Sequence, residues 1–102
     1  EEERLAQARR LLELLEPEEV PVILAGDFNS TPDSPVMELI GETFAVPDKE
    51  GDRLTFSSDR PRVEIDFIAW RPAGRFAVAE SRVIDEPVAS DHRPVFLAVE
   101  VR

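Results

Sequence analysis

The stretch "VPVILAGDFNS" at residues 20–30 decides how this chain can fold. Its first six residues are apolar and rich in β-branched side chains, and a short continuous run of this kind predicts a strand buried on both faces. Gly26 follows the run and permits close approach of a ligand or another backbone. Because sheets commonly present their functional groups where strands end, the stretch predicts a site as well as a strand.

Asp27 and Asn29 come directly after this strand. If the backbone stays extended, side chains two residues apart project to the same side, and a carboxylate and an amide would share one small space. The alternative is a strand-to-helix turn in which both side chains only satisfy backbone N–H groups. The sequence leaves both interpretations open.

Two helices are predicted around the strand. Leucine and alanine recur at steps of three and four over residues 1–16, so this segment is predicted as an amphipathic helix that ends before Pro17. A second helix of about two turns is predicted to begin at Pro35, with Ser34 as its N-cap and Gly41 at its end.

The second half of the chain reads as strands separated by turns. Residues 42–53 have little periodicity and predict a surface connection. Strands are predicted at 54–58, 62–71, 75–85 and 94–102, with a turn at 72–74. The elements together indicate one domain piece of mixed α and β structure.

Composition limits what the protein can do. The 102 residues carry 22 acids and 12 bases, a net charge of −10, which disfavours a bare polyanion-binding surface and means that a phosphate-bearing substrate would need help from a metal. The chain contains no Cys, which excludes a disulfide framework and a thiolate metal site. No apolar run approaches the roughly 18 residues of a membrane span, and no signal-peptide pattern is visible, so localisation stays open.

Asp66 lies on a predicted strand face that it shares with Ile68 and Trp70. An ionised carboxylate among large apolar side chains is costly unless it has a partner. The only histidine, His92, follows Asp91 in the loop "SDHRP", and we predict that Asp66 accepts a hydrogen bond from its ring and fixes its tautomer. The alternative places His92 on the surface and pairs Asp66 with backbone.

These residues favour metal-assisted chemistry on a phosphate ester. Asp27, Asn29 and Asp91 offer hard oxygen atoms, which suit a hard cation such as Mg²⁺. The cation would neutralise phosphate charge while a carboxylate orients or deprotonates a water and His92 donates to an anionic oxygen. That reaction is phosphoester hydrolysis.

Four motifs in order, "GDFNSTPDSP", "TFSS", "EIDFIAW" and "SDHRPV", resemble the C-terminal half of the endonuclease/exonuclease/phosphatase superfamily of metal-dependent phosphoesterases. The resemblance covers essentially the whole chain. It implies an α/β (α+β) fold: half of a four-layered α/β sandwich, with a mixed, mainly antiparallel sheet and helices on one face. Residues 1–102 would then be a partial domain that lacks its N-terminal half.

The resemblance also implies roles for five residues. Asp27 would activate or orient the attacking water and serve the metal, and Asn29 would hold the water and a phosphate oxygen. Asp66 would orient His92, which stabilises the phosphoryl oxygens. Asp91 would serve the metal site or the nucleophile.

Other positions extend or depart from the family pattern. Thr55 matches a position near the site and is a candidate substrate contact. Glu64 stands where a basic residue is frequent, and the family's metal-binding Glu and second His have no match here. We therefore predict a Mg²⁺-dependent (or Mn²⁺-dependent) phosphoesterase that needs its missing half or a self-association partner and is inactive alone; the alternative is a non-catalytic interaction module. The substrate, whether nucleic acid, phospholipid or small phosphodiester, stays open.

Overall fold

The computed structural model describes residues 2–102, so the predicted place of Glu1 in the first helix lies outside the described residues. The elements in chain order are α1 (Glu2–Leu15), β1 (Val22–Asp27), α2 (Pro35–Gly41), β2 (Asp66–Arg71), β3 (Phe76–Val83) and β4 (Val95–Val101). A short 3-10 turn, Ala73–Arg75, joins β2 to β3 where the sequence predicts a turn. Among the described residues, no helix is long and apolar enough to cross a membrane.

The strands form two antiparallel pairs. β1 pairs with β2, and their register places Asp27 opposite Asp66. β3 pairs with β4, with a register shift between Val78 and Glu80. The predicted α/β class with mainly antiparallel pairing is therefore confirmed.

Segment 45–50 lies along both sheets, so the prediction of a loose surface connection is wrong for this part of 42–53. Ala45 and Trp70 exchange two backbone hydrogen bonds, of 2.7 and 3.1 Å, and form an antiparallel bridge to β2. The Glu50 amide donates to the Ser81 carbonyl at 2.7 Å and forms a parallel bridge to β3. Such contacts join residues distant in sequence and leave no periodic pattern, so local sequence could not reveal them.

Helix α2 begins and ends where the sequence predicts. The Ser34 hydroxyl accepts a hydrogen bond of 3.2 Å from the Met37 amide, Pro35 is the first helical residue and Gly41 the last. An N-cap of this kind stabilises a helix by about 1 kcal/mol because it satisfies an otherwise unpaired N–H group.

The core lies between the two helices and one face of the β1–β2 sheet. Its centre consists of Ile40, Phe44 and Ala69, each at most 3% exposed. Partly buried side chains from α1, β1 and the loops pack around them: Leu12, Leu15, Val22, Leu24, Phe28 and Val46. Both helices cover the same face, which fixes β1 and β2 from one side.

The other face of β1 is open, so the predicted burial of this strand on both faces is wrong for the described residues. Val22 and Leu24 are partly buried towards the helices, whereas Ile23 between them is 60% exposed. Nothing within residues 2–102 covers that outer face.

Of the predicted strands, one is absent and one is shorter than expected. Residues 54–58 form no regular strand, and Phe56 alone makes isolated bridges to Val63 and His92. The strand predicted at 62–71 begins at Asp66, because residues 62–65 fold back against Thr55 and Phe56. This turn brings residues 55–58 beside the end of β2 where Asp66 lies.

Candidate active site

Three side chains meet where β1 ends and β2 begins. The pairing of these strands sets Asp27 opposite Asp66, and the loop before β4 brings His92 against them. The His92 Nδ1 atom lies 2.8 Å from Asp66 Oδ2, and Nε2 lies 3.7 Å from Asp27 Oδ2. The hydrogen bond between Asp66 and His92 that the sequence predicts is therefore present in the structure.

The surrounding carboxylates raise the pKa of His92 above its usual value of 6.5. The main cause is the hydrogen bond with Asp66, and the negative charges of Asp66, Asp27 and Asp91 add to it, while partial burial opposes it. Because Nδ1 donates to Asp66, Nε2 faces Asp27 and an open groove of about 360 Å³ that Asp27 and His92 both line. An imidazolium held this way can donate Nε2–H to an anionic oxygen.

The backbone after β1 turns sharply, which decides between the two open interpretations of Asp27 and Asn29 in favour of a turn. Asn29 has φ of 48°, in the left-handed region that Asn tolerates better than most residues. Its amide N–H donates to Asp27 Oδ1 at 2.7 Å. One carboxylate oxygen of Asp27 thus holds the turn, as in the alternative interpretation, while Oδ2 still faces His92.

Asp91 is exposed at the edge of the cluster. Its carbonyl accepts a hydrogen bond of 2.7 Å from the Ser58 amide, which fixes the loop, and its carboxylate contributes to the raised pKa of His92. Asp27, Asp66 and His92 have potential ligand atoms within 4.8 Å of one another, and Asp91 is not in this group. Of the two predicted metal ligands, only Asp27 therefore belongs to the compact cluster.

The donor atoms of the site fit a hard divalent cation. The cluster offers carboxylate oxygens and no sulfur, which suits Mg²⁺ or Mn²⁺. Asp66 and Asp27 are not equivalent, because Asp66 is 15% exposed and hydrogen-bonded to the imidazole, whereas Asp27 is 47% exposed. Asp27 is thus the ligand best placed to reach an ion from the groove.

Thr55 is fully buried, with 0% of its surface exposed. Its hydroxyl accepts a hydrogen bond of 3.1 Å from the Ile65 amide, and its carbonyl accepts one of 2.7 Å from the Arg93 amide. A substrate therefore cannot touch its side chain in this structure. Thr55 instead holds together the segments that carry Asp66 and His92.

A buried ion pair beside the site, between Lys49 and Glu64, is not predicted by the sequence. Lys49 donates a short hydrogen bond to Glu64 and lies 4.3 Å from the ring centre of Phe67. Arg53 Nε lies 3.5 Å from the other oxygen of Glu64. Lys49 thus contacts residues on both sides of Asp66. The position of Glu64 on the face of Asp66 was a signal for burial, but nothing marked Lys49.

Arg93 joins three segments behind the imidazole. Its Nε donates to the Ser58 carbonyl at 2.8 Å, and its guanidinium lies 3.6 Å from Asp52 and 3.3 Å from Asp85. The adjacent His92 is 27% exposed in its side chain and faces an open groove of about 360 Å³. Arg93 therefore restrains the loop that holds the preceding residue, His92, against this groove.

Comparison with known proteins agrees with this fold. The sequence profile of the Endonuclease/Exonuclease/phosphatase family matches residues 1–92, and the chain belongs to this family. A search of the curated proteins finds no match.

Solved structures of related proteins have the same fold. A conserved protein of unknown function from Enterococcus faecalis is 26% identical and superposes with a TM-score of 0.81, covering 97% of this chain and 44% of its own. An endonuclease/exonuclease/phosphatase from Bacteroides vulgatus is 25% identical with a TM-score of 0.81, covering 100% of this chain and 45% of its own. A mannosyl-6-phosphatase from Bacteroides thetaiotaomicron is 21% identical with a TM-score of 0.72, covering 95% of this chain and 45% of its own. The chain thus spans slightly less than half the length of these structures.

Proposed function

We propose that this protein hydrolyses a phosphate ester with the help of a divalent cation, and that Asp27, Asp66 and His92 form the centre of its site. The observation that supports this most is the alignment of one imidazole between two carboxylates at the end of a strand pair. Membership of the family adds the class of reaction. Hydrolysis of phosphate esters needs both an oriented water and stabilisation of phosphoryl charge, and the site offers groups for each.

The chemistry assigned to the chain follows from the geometry around His92. The 3.7 Å between His92 Nε2 and Asp27 Oδ2 leaves room for one oxygen atom within hydrogen-bonding distance of both. Asp27 orients a water and accepts its proton as the water oxygen bonds to phosphorus. His92 donates Nε2–H to a phosphoryl oxygen, and Asp66 holds the imidazole in the tautomer that allows this. The ester P–O bond breaks, and the leaving alcohol takes a proton from solvent.

Asp27 is the residue expected to hold Mg²⁺ or Mn²⁺, with Asp91 as a second oxygen donor at the edge of the cluster and Asn29 nearby for the water or a phosphate oxygen. The bound cation would neutralise phosphate charge and act as a Lewis acid. A net charge of −10 for these 102 residues favours such help with an anionic substrate at the reaction centre.

Residues 1–102 are expected to be inactive by themselves. The outer face of β1 exposes Ile23, and an apolar sheet face of this kind favours a covering layer. The covering layer, a metal-binding Glu and a second His would come from an N-terminal half of the domain or from a self-association partner.

Hydrolysis of bis(p-nitrophenyl) phosphate tests the proposal, with Mg²⁺ or Mn²⁺ and both the 102-residue chain and the complete polypeptide. We expect activity of the complete polypeptide that EDTA abolishes, and a loss of about 10²-fold or more in Asp27→Asn and His92→Gln. Asp33→Asn is a matched control, since this exposed acid lies in the same loop and, within residues 2–102, accepts a hydrogen bond from Thr31 alone.

The outcomes separate the competing functions. Metal-dependent turnover that survives both Asp27→Asn and His92→Gln would refute the catalytic assignment. Absence of turnover in the complete polypeptide with any phosphate ester would instead favour a non-catalytic interaction module that keeps the fold.

A further inference from the structure

A tight hairpin at residues 56–63 lies directly against the imidazole of His92. The Phe56 carbonyl accepts hydrogen bonds from the amides of Arg62, at 2.7 Å, and Val63, at 3.2 Å, which close the hairpin. Phe56 also bridges to His92, and the two ring centres lie 4.8 Å apart at an angle of 48°. The hairpin is thus fixed relative to the site by both backbone and ring contacts.

An open groove of about 580 Å³ lies along this hairpin. It is lined by Phe56, Ser57, Asp59, Arg60, Arg62 and Val63. Phe56 therefore separates two spaces: its ring contacts His92 on the side of the site, and it also lines the hairpin groove. With 36% of its surface exposed, Phe56 is a platform between them.

Arg60 and Arg62 are the cations of the hairpin groove. Both are exposed, and neither forms an ion pair or a side-chain hydrogen bond within residues 2–102. The one acid of the hairpin, Asp59, accepts instead from the Ser57 hydroxyl at 3.0 Å.

The arginines near the hairpin and the site, Arg53 and Arg93, have acidic partners. Arg53 pairs with Asp48, and Arg93 lies within 3.6 Å of both Asp52 and Asp85. Two neighbouring arginines that have no acidic partner within residues 2–102 therefore form a local positive site in a chain of net charge −10. Guanidinium groups suit phosphate because their N–H groups form paired, charge-assisted hydrogen bonds.

We propose that the hairpin groove binds a second phosphate group of the substrate, so that Arg60 and Arg62 select small soluble esters with two phosphates over those with one. The proposal rests on the proposed function, which places the scissile phosphate at Asp27 and His92. The remainder of the substrate then crosses the exposed ring of Phe56 to reach the two guanidinium groups. A long duplex is disfavoured as the substrate, because two arginines are a small cationic surface for a chain this acidic.

Calorimetric binding to the complete polypeptide tests this inference in EDTA, so that no ester is hydrolysed during the titration. The probes are glucose 1,6-bisphosphate and glucose 6-phosphate, which differ by one phosphate. We expect the bisphosphate to bind about tenfold more tightly, as for one net charge-assisted contact at an exposed site. Arg60→Ala/Arg62→Ala should remove this preference.

Two control variants make the result specific. Arg75→Ala removes an exposed arginine in the turn before β3, outside the hairpin groove, and should leave the preference intact. Arg60→Lys/Arg62→Lys should keep part of it, because the positive charge remains. Added salt should reduce the preference as the charges are screened.

Equal affinity for the two probes in the unmodified protein would overturn the inference, as would a preference that survives Arg60→Ala/Arg62→Ala. These results are independent of turnover. A failure of the proposed function would appear separately, in the hydrolysis assay with Asp27→Asn and His92→Gln.

Discussion

Replacing Lys49 with Met should destabilise the protein strongly, because the buried carboxylate of Glu64 would lose its main positive partner. The Lys49 and Glu64 side chains are only 2% and 8% exposed and are hydrogen-bonded to each other. Met keeps a long apolar side chain in the same space and removes only the ammonium group. Glu64 then retains Arg53 alone, whose Nε lies 3.5 Å away and whose side chain is 45% exposed.

The expected loss can be estimated from these contacts. Removing one partner of a buried ion pair costs about 3–5 kcal/mol, because the other charge stays buried without compensation. Arg53 provides part of that compensation, which favours the lower end of the range. Loss of the contact between Lys49 and the ring of Phe67, at 4.3 Å, adds about 1 kcal/mol. We therefore expect the free energy of unfolding to fall by roughly 3–4 kcal/mol.

Urea denaturation followed by the fluorescence of Trp70, the single tryptophan of the chain, measures this loss. Arg82→Met is the matched control, since Arg82 pairs with Glu80 on the surface, where both are more than 40% exposed, and an exposed pair contributes at most about 1 kcal/mol. Lys49→Met/Glu64→Leu should regain most of the stability by removing the stranded carboxylate. A loss in Lys49→Met no larger than in Arg82→Met would refute the reasoning.

Other predictions concern the helices and the imidazole. Ser34→Ala should lower the free energy of unfolding by about 1 kcal/mol, measured by urea denaturation, because the Met37 amide loses its acceptor. Arg71→Ala should cost about 1–2 kcal/mol and speed hydrogen exchange at the end of α1, because its guanidinium donates to the carbonyl of Leu15, the last residue of that helix, and to the carbonyl of Glu18 in the turn after it. Unchanged exchange would contradict this. Asp66→Asn should lower the pKa of His92 towards its ordinary value in an NMR titration, since the Asp66 hydrogen bond is the main cause of the raised pKa. The raised folded-state pKa of His92 stabilises the protein below about pH 6.5, and this stabilisation is lost as the pH rises through the folded pKa. The difference in the free energy of unfolding between the wild type and Asp66→Asn should therefore narrow at alkaline pH. A difference that widens with pH would contradict Asp66 as the main cause of the raised pKa of His92.

The parts of the fold that the sequence could predict depend on local signals. Helix α2 was predicted to the residue because its cap, its first proline and its final glycine act within one short segment. The contact of Asp66 with His92 was also predictable, since an acid on an apolar strand face needs a partner and the chain has a single imidazole.

The errors came from contacts between distant parts of the chain. Segment 45–50 pairs with β2 and β3 through backbone groups, which carry no side-chain pattern. The choice between the two interpretations of Asp27 and Asn29 was left open for a different reason, because the left-handed turn at Asn29 and its hydrogen bond to Asp27 are not described by alternation along a strand. Lys49 sits in an irregular acidic segment, so its burial against Glu64 could be seen only in three dimensions.

A crystal structure of the complete polypeptide with Mn²⁺ and inorganic phosphate would test the central claim most directly. The account predicts an anomalous peak within about 2.1–2.3 Å of a carboxylate oxygen of Asp27. It also predicts a phosphate oxygen within about 3 Å of His92 Nε2, with Asp66 still bound to Nδ1. Manganese bound away from Asp27, or phosphate bound out of reach of His92, would contradict it.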